Sequence, residues 1–323
     1  ITGSLITISS YSWLGMWMGL EINLLSIIPL MSSTKNPLQS EAAMKYFITQ
    51  SMASMVLLFS IIMTMAEYTN YHMSMPNHTV IMNSAMLMKM GAAPFHFWFP
   101  EIMEGLSWMN SLIMLTWQKI APMVMLIYSM KTTLMISLAI LFSMIISGVM
   151  GINQTSIRKI LAFSSINHIG WMISSMLSWQ SIWFIYLLIY SLISINMILV
   201  LKKLNVYHVA QLINSMNKNK PLKMIFIMNF LSLGGIPPFI GFLPKWLTIN
   251  FLVENTFHML SILMILFTLV TIYFYMRITF STMVVFHQEM KTTNKSPQMF
   301  SLMMANFITL SGLMVCTLMF NFS

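Results

Sequence analysis

The chain contains no aspartate, two arginines (Arg158 and Arg277), one cysteine (Cys316), and only 7% charged residues in all. A soluble domain carries roughly 25%. So little charge cannot solvate the surface of a 323-residue chain, which excludes a soluble globular protein. A lone cysteine excludes an internal disulfide, and no Cys/His cluster offers ligands for haem, zinc or an iron–sulfur centre. No glycine-rich dinucleotide loop is present either. The sequence therefore predicts that no cofactor and no metal is bound by this chain.

Apolar residues fill the space: 58% are hydrophobic and the mean hydropathy is +0.79. The expected fold is an all-α polytopic membrane protein of about 11 transmembrane helices, each needing about 20 apolar residues. Hydropathy places a partial first span at 1–11, too short to cross, then 13–32, 43–66, 79–99, 109–130, 133–152, 157–177, 180–201, an interrupted 222–252, 257–284 and a terminal span at 298–320. The chain opens on Ile1, so the first helix reads as truncated or as begun from an unusual codon. Within the longest joint, 202–221, a short surface helix is expected over 206–216.

The 39 methionines stand where isoleucine or leucine would pack as well. That excess fits a genetic code reading AUA as methionine, a habit of mitochondrial genomes, often AT-rich invertebrate ones. An Arg- and Ser-rich amphipathic transit segment is also missing, as expected for a chain made inside the organelle.

Charge in the joints sets orientation. Even-numbered joints hold Lys35, Lys45, Arg158, Lys159, Lys202, Lys203, Lys218, Lys220, Lys223, Lys291 and Lys295, against Lys131 alone in the odd ones, which carry Glu67 and Glu254. The even joints are therefore expected in the matrix, with the N-terminus on that side and the C-terminus in the intermembrane space. The net charge of +9 then reports topology and contact with membrane phospholipids, cardiolipin being one candidate. The basic residues are scattered over several joints without a binding motif, so no nucleic acid partner is expected.

Two stretches break an apolar helix in the same way: Gly91-Ala92-Ala93-Pro94-Phe95 and Gly235-Ile236-Pro237-Pro238-Phe239, each followed by a further proline, Pro100 and Pro244. Paired interruptions in the two halves of a membrane protein point to repeats around an ion path. A broken helix is tolerated in lipid only where protein or water covers the freed backbone groups. A plain packing kink is the competing reading of either break alone, and a weaker one for the matched pair.

Charge inside spans is expensive, roughly 2.5–3.5 kcal/mol for a lysine or acid at a helix centre on insertion scales. Yet Glu21, Lys89, Lys119, Lys245 and Arg277 lie in or near predicted spans. An amine can give up its proton when desolvated or when a neighbouring charge changes; a guanidinium effectively cannot. Glu21, Lys89, Lys119 and Lys245 are therefore candidate proton carriers, and Arg277, near the matrix end, reads better as a snorkelling side chain. His168, flanked by Ser164, Ser165 and Asn167, is a candidate relay or a hydrogen-bonded structural histidine. His96, inside the first break, is expected to satisfy freed carbonyls. The remaining histidines read as joint or interface residues, and the Met and Phe stripes as packing.

Several of these segments together resemble one family: Trp17-Met18-Gly19-Leu20-Glu21-Ile22-Asn23, Lys89 through Trp98, Leu115-Thr116-Trp117-Gln118-Lys119, Asn153 through Lys159, Ser164 through Trp171, and Gly234 through Trp246. They are similar to subunit 2 of mitochondrial NADH dehydrogenase, an antiporter-like membrane-arm subunit of complex I, in its insect or other arthropod form. The match runs from residue 1 to about 285. The resemblance implies two inverted five-helix repeats, 13–152 and 157–284, each with a discontinuous helix, and a terminal span beyond. It implies proton pumping coupled to NADH:ubiquinone electron transfer elsewhere in the complex, along a buried axis of Glu21, Lys89, Lys119, His168 and Lys245. FMN, iron–sulfur clusters and ubiquinone are then expected in other parts of the complex. The partners are its other membrane-arm subunits, the next antiporter-like subunit among them, reached through Glu21. The same buried ions would also serve a free-standing cation/proton antiporter, and a structural spacer that pumps nothing is the third reading.

Overall fold

The computed structural model describes residues 1–33, 36–69, 77–130, 132–216 and 220–284. The expected terminal span at 298–320, Cys316, His72, His287, Lys35, Lys131, Lys218, Lys291 and Lys295 lie outside the described residues. Every regular element among the described residues is a helix. In chain order they are α1 Thr2–Ser9, α2 Trp13–Met31, α3 Pro37–Thr69, α4 Asn77–Met90, α5 Trp98–Gly105, α6 Trp108–Leu115, α7 Trp117–Tyr128, α8 Thr133–Ile152, α9 Ile157–Ser178, α10 Gln180–Leu204, α11 Val209–Met216, α12 Lys220–Gly234, α13 Phe242–Glu254 and α14 His258–Val284. Among the described residues, seven helical stretches are long and apolar enough to cross a membrane: α2, α3, α6 with α7, α8, α9, α10 and α14. The contacts divide the chain into two compact units, Ile1–Ser143 and Met144 onward.

Local chemistry explains where the helices start and stop. Ser12 caps α2 by accepting from the Gly15 amide at 3.2 Å, the usual service of an N-cap hydroxyl. Asn205 ends α10 in the left-handed region, φ 49°, a conformation asparagine tolerates better than most side chains. The short helix expected in the 202–221 joint is α11. Its preceding residues are tied to the start of α9: Tyr207 O accepts from Ile157 N at 2.9 Å, and Val209 N donates to Thr155 O at 3.1 Å.

The polarity of the units is inverted relative to a soluble protein. Met44, Ile48, Met52, Met55, Phe59 and Ile62 form an exposed stripe on α3, and Ile262, Leu266, Leu269 and Tyr273 one on α14. Spacings of three and four put each set on one helix face. The face suits lipid, where apolar exposure carries no penalty. The most polar span is the most enclosed: 94% of the α9 span is buried, against 33% for α3. It carries Ser164, Ser165, Asn167, His168, Ser174 and Ser175 inward.

Three sequence expectations need correction. The helix predicted from residue 43 begins at Pro37, and Lys45, counted above with the joint charges, sits on that helix. The span predicted over 79–99 stops at Met90, because Gly91 turns the chain at φ 72°. The span predicted as continuous over 109–130 is interrupted at Thr116, φ −112° and ψ −71°, between α6 and α7.

Candidate functional site

Both helix breaks are built on the same backbone pattern, the second with one further bond, Gly235 N to Leu231 O at 3.1 Å. In the first unit α4 closes with Gly91 N donating to Met88 O at 3.2 Å and Ala92 N to Leu87 O at 3.0 Å. In the second unit α12 closes with Gly235 N to Ser232 O at 3.0 Å and Ile236 N to Leu231 O at 3.3 Å. This crossed pair of bonds over a left-handed glycine is the Schellman helix ending; Gly91 has φ 72° and Gly235 φ 76°. A turn with a cis proline follows in each. Phe95 N reaches Ala92 O at 2.9 Å across Ala93–Pro94, and Phe239 N reaches Ile236 O at 3.1 Å across Pro237–Pro238. The chain then re-enters a helix, α5 or α13. Each break thus satisfies much of its own freed backbone, which is what allows it inside an apolar unit.

In the first unit the break is sealed by side chains. Trp98 Nε1 donates to Met88 O at 3.1 Å, Gln50 Nε2 to Lys89 O at 3.4 Å, and His96 Nδ1 lies 3.3 Å from Pro94 O. That is the carbonyl-satisfying role expected of His96. Lys89 occupies the last turn of α4, the end of a helix macrodipole that favours a cation. Its ammonium lies 4.0 Å from Glu21 Oε1 on α2, with side chains 3% and 24% exposed. The pair is close enough to interact strongly in a low-dielectric setting, yet beyond direct hydrogen-bond reach.

Lys119 is 3% exposed and lies in the first turn of α7, with its Nζ 5.3 Å from the Phe99 ring centroid. A helix start is an unfavourable seat for a fixed positive charge, partly offset by the ring face. Gln118 joins Asn23 through two hydrogen bonds between their side-chain amides, and Tyr46 OH donates to Gln118 Oε1 at 3.5 Å. A small cavity lined by Asn23, Tyr46, Gln50, Lys89 and Gln118, with Leu20, Leu24 and Pro122, has about 10 Å³ open to water-molecule centres. That is room for about one water.

In the second unit Lys245, on the first turn of α13, reaches back across the break. Its Nζ donates to Gly234 O, the last residue of α12, at 2.7 Å, and lies 5.8 Å from the Trp171 ring centroid. His168 Nδ1 lies 2.9 Å from Tyr186 OH, and its ring packs 4.9 Å from that of Tyr190. Asn167 Nδ2 donates to Thr271 Oγ1 at 3.1 Å, tying α9 to α14. Arg277 is not part of this interior: its Nη1 donates to Ile152 O at 3.1 Å in an exposed setting.

Of the residues singled out from sequence, Glu21, Lys89 and Lys119 thus fall in the first unit and His168 and Lys245 in the second. Asn23, Tyr46, Gln50 and Gln118 were not singled out. Their one signal was adjacency: Asn23 and Gln118 stand two residues and one residue from a charged group in an otherwise apolar run. Among the described residues no group of His, Cys, Asp or Glu could hold a metal ion.

Matched helix breaks, buried lysines and lipid-facing flanks define a polytopic membrane protein built to manage charge within its interior. Residues 10–271 match the NADH:quinone oxidoreductase/Mrp antiporter transmembrane family, and the chain belongs to that family. It is 47% identical to the NADH-ubiquinone oxidoreductase chain 2 of Anopheles gambiae, over 99% of this chain and 95% of that one. The protein of the same name from Locusta migratoria is 46% identical over 89% of this chain and 84% of its own length. Among solved structures, a chain of respiratory complex I from Thermus thermophilus shares the fold with a TM-score of 0.85 at 23% identity, covering 98% of this chain and 76% of that chain. A chain of the Mrp complex from Dietzia sp. does so with a TM-score of 0.80 at 15% identity, over 98% and 74%.

Proposed function

We propose that this chain is the proton-translocating chain 2 of a respiratory NADH–ubiquinone oxidoreductase, complex I, lodged as a multi-pass protein in the mitochondrial inner membrane. The observation that carries the reading is the Lys89–Glu21 pair, an ammonium 3% exposed and 4.0 Å from a carboxylate beside a broken helix. In such a pair, moving one charge changes the free energy of the neighbouring proton, so a charge change arriving from an adjacent subunit can drive release at the next amine. Glu21 receives that change, Lys89 and Lys119 carry the proton in the first unit, and His168 and Lys245 do so in the second. Gly91, Pro94, Gly235, Pro237 and Pro238 supply the breaks that give the amines backbone dipoles to work against.

The finer architecture belongs to the same proposal: about eleven spans, inverted repeats at 13–152 and 157–284, a terminal span at 298–320, the N-terminus in the matrix, and synthesis from the mitochondrial genome. The redox chemistry, with FMN, iron–sulfur clusters and ubiquinone, belongs to other subunits of the complex. The next antiporter-like subunit and membrane phospholipids are this chain's neighbours. A free-standing cation/proton antiporter would use the same buried ions, and the fold it shares with the Mrp chain is compatible with that. Near half identity to insect NADH-ubiquinone oxidoreductase chains over most of their length favours the respiratory complex.

Two measurements decide. Mitochondrial membranes solubilised in mild detergent and run on a native gel should carry this chain in the large band that stains for NADH dehydrogenase. A small, inactive species, with detergent dissociation excluded, would favour the free antiporter. Lys119→Ala should assemble normally and lower the proton-to-electron ratio; an unchanged ratio would leave the chain a spacer.

A further inference from the structure

Asn23 and Gln118 are an expensive way to pack α2 against α7. Their amides present oxygens and N–H groups that each need a partner once buried, and Asn23 is 5% exposed. They meet that need mainly through each other, Asn23 Nδ2 donating to Gln118 Oε1 at 2.8 Å and Gln118 Nε2 to Asn23 Oδ1 at 3.3 Å. Two leucines would fill the space without that requirement. What the amide ring adds is uniqueness, because both bonds close at only one rotation and one axial shift of the two helices.

That register matters because of what flanks it. Asn23 follows Glu21 by two residues on α2, and Gln118 directly precedes Lys119 on α7. Gln118 also lines, with Lys89, the cavity that has room for about one water. Its lining includes five polar residues, Asn23, Tyr46, Gln50, Lys89 and Gln118, and an interior water needs two to four partners.

We propose that the Asn23–Gln118 amide pair is a positioning device for the proton path: it fixes the register in which Glu21 stands at Lys89 and the Gln118 amide faces a water site shared with Lys89. The proposal rests on the proton-path reading above. Neither residue carries a proton; both act through Glu21, Lys89 and Lys119.

The test shortens one arm and then lengthens the other, in the assembled membrane enzyme, with assembly followed on native gels. Gln118→Asn pulls the amide out of reach and should lower the proton-to-electron ratio by about the same fraction as Lys119→Ala, in normally assembled complex. Adding Asn23→Gln restores the summed arm length and should recover most of the ratio, a rescue that loss of general packing would not give. If Gln118→Asn leaves the ratio unchanged while Lys119→Ala lowers it, or if the swapped pair assembles without recovery, the positioning role is overturned and the proton path stands. If Gln118→Asn and Lys119→Ala are both without effect, the proton path falls with it.

Discussion

An alanine at position 235 would report directly on how the second break holds its lysine. Gly235 has φ 76°, and a Cβ there would lie 2.7 Å from Lys245 Cδ and 3.0 Å from its Nζ. A left-handed backbone costs a non-glycine residue about 1–2 kcal/mol. The methyl group also drives the lysine stem out of its groove, breaking the 2.7 Å bond from Nζ to Gly234 O; a hydrogen bond from a charged donor contributes about 1.5–3 kcal/mol. The two effects together predict a destabilisation of about 2.5–5 kcal/mol. Gly91→Ala is the internal control. It has the same kind of backbone, φ 72°, but its Cβ would meet Phe99 Cβ at 3.1 Å and Trp98 Cζ2 at 3.2 Å, with no lysine in the way. The loss there should be about 1–2 kcal/mol from the backbone, plus the cost of shifting Phe99 and Trp98, and none of it should depend on Lys245. The assay is the thermal midpoint for loss of assembled, NADH-oxidising complex from mild-detergent extracts, measured for both variants and again in a Lys245→Ala background. The excess of the Gly235→Ala loss over its backbone cost should vanish once Lys245 is gone, whereas the Gly91→Ala loss should be the same in both backgrounds. An excess that survives Lys245→Ala, or a Gly91→Ala loss that shrinks with it, would refute the argument that the lysine occupies the glycine's side of the break.

Two further outcomes follow from the geometry. Asn83 is fully buried and donates to Ser129 O at 3.1 Å and Thr132 Oγ1 at 2.9 Å, so Asn83→Ala should cost about 1–3 kcal/mol through orphaned acceptors and lower the same thermal midpoint. Lys45 pairs with Glu41 at 3.0 Å and Glu101 at 2.9 Å, all three side chains being more than two-fifths exposed. Solvent screens such pairs, and Lys45→Ala should leave both the midpoint and the proton-to-electron ratio unchanged.

The sequence carried the helical fold, the two breaks and the identity of the interior ions, because each of these is a local signal. Gly-x-x-Pro-Phe writes a helix ending and a turn into five consecutive residues, and a lysine in an apolar run is conspicuous wherever it folds. Other features had no local signal. The interruption at Thr116 has no glycine or proline at the break itself to announce it. The start of α3 was placed at residue 43 because hydropathy marks the apolar stretch of a helix and not its polar first turns, which begin at Pro37; Lys45 was counted with the joint although it stands past even that start. The amide pair between Asn23 and Gln118 joins residues 95 positions apart, a distance at which no sequence period speaks. Charge was legible because it is rare here; amides were not, because their importance depends on what they meet.

The two breaks share a backbone but not a charge position. Matching Gly91 to Gly235 and Pro94 to Pro238 aligns Lys89 with Leu233, and Lys245 with Glu101, which on its own break is an exposed partner of Lys45. One half keeps its cation upstream of the turn, the other downstream. Even so, Lys89 belongs to the last turn of α4, while Lys245 folds back to the terminal carbonyl of α12. Both cations therefore serve the same pole of the upstream half-helix, one as its resident and the other as a visitor from across the turn. The architecture of the break and the address of its ion are separable: a broken segment can carry its lysine on either half-helix and build the same electrostatic post without altering the fold that holds it.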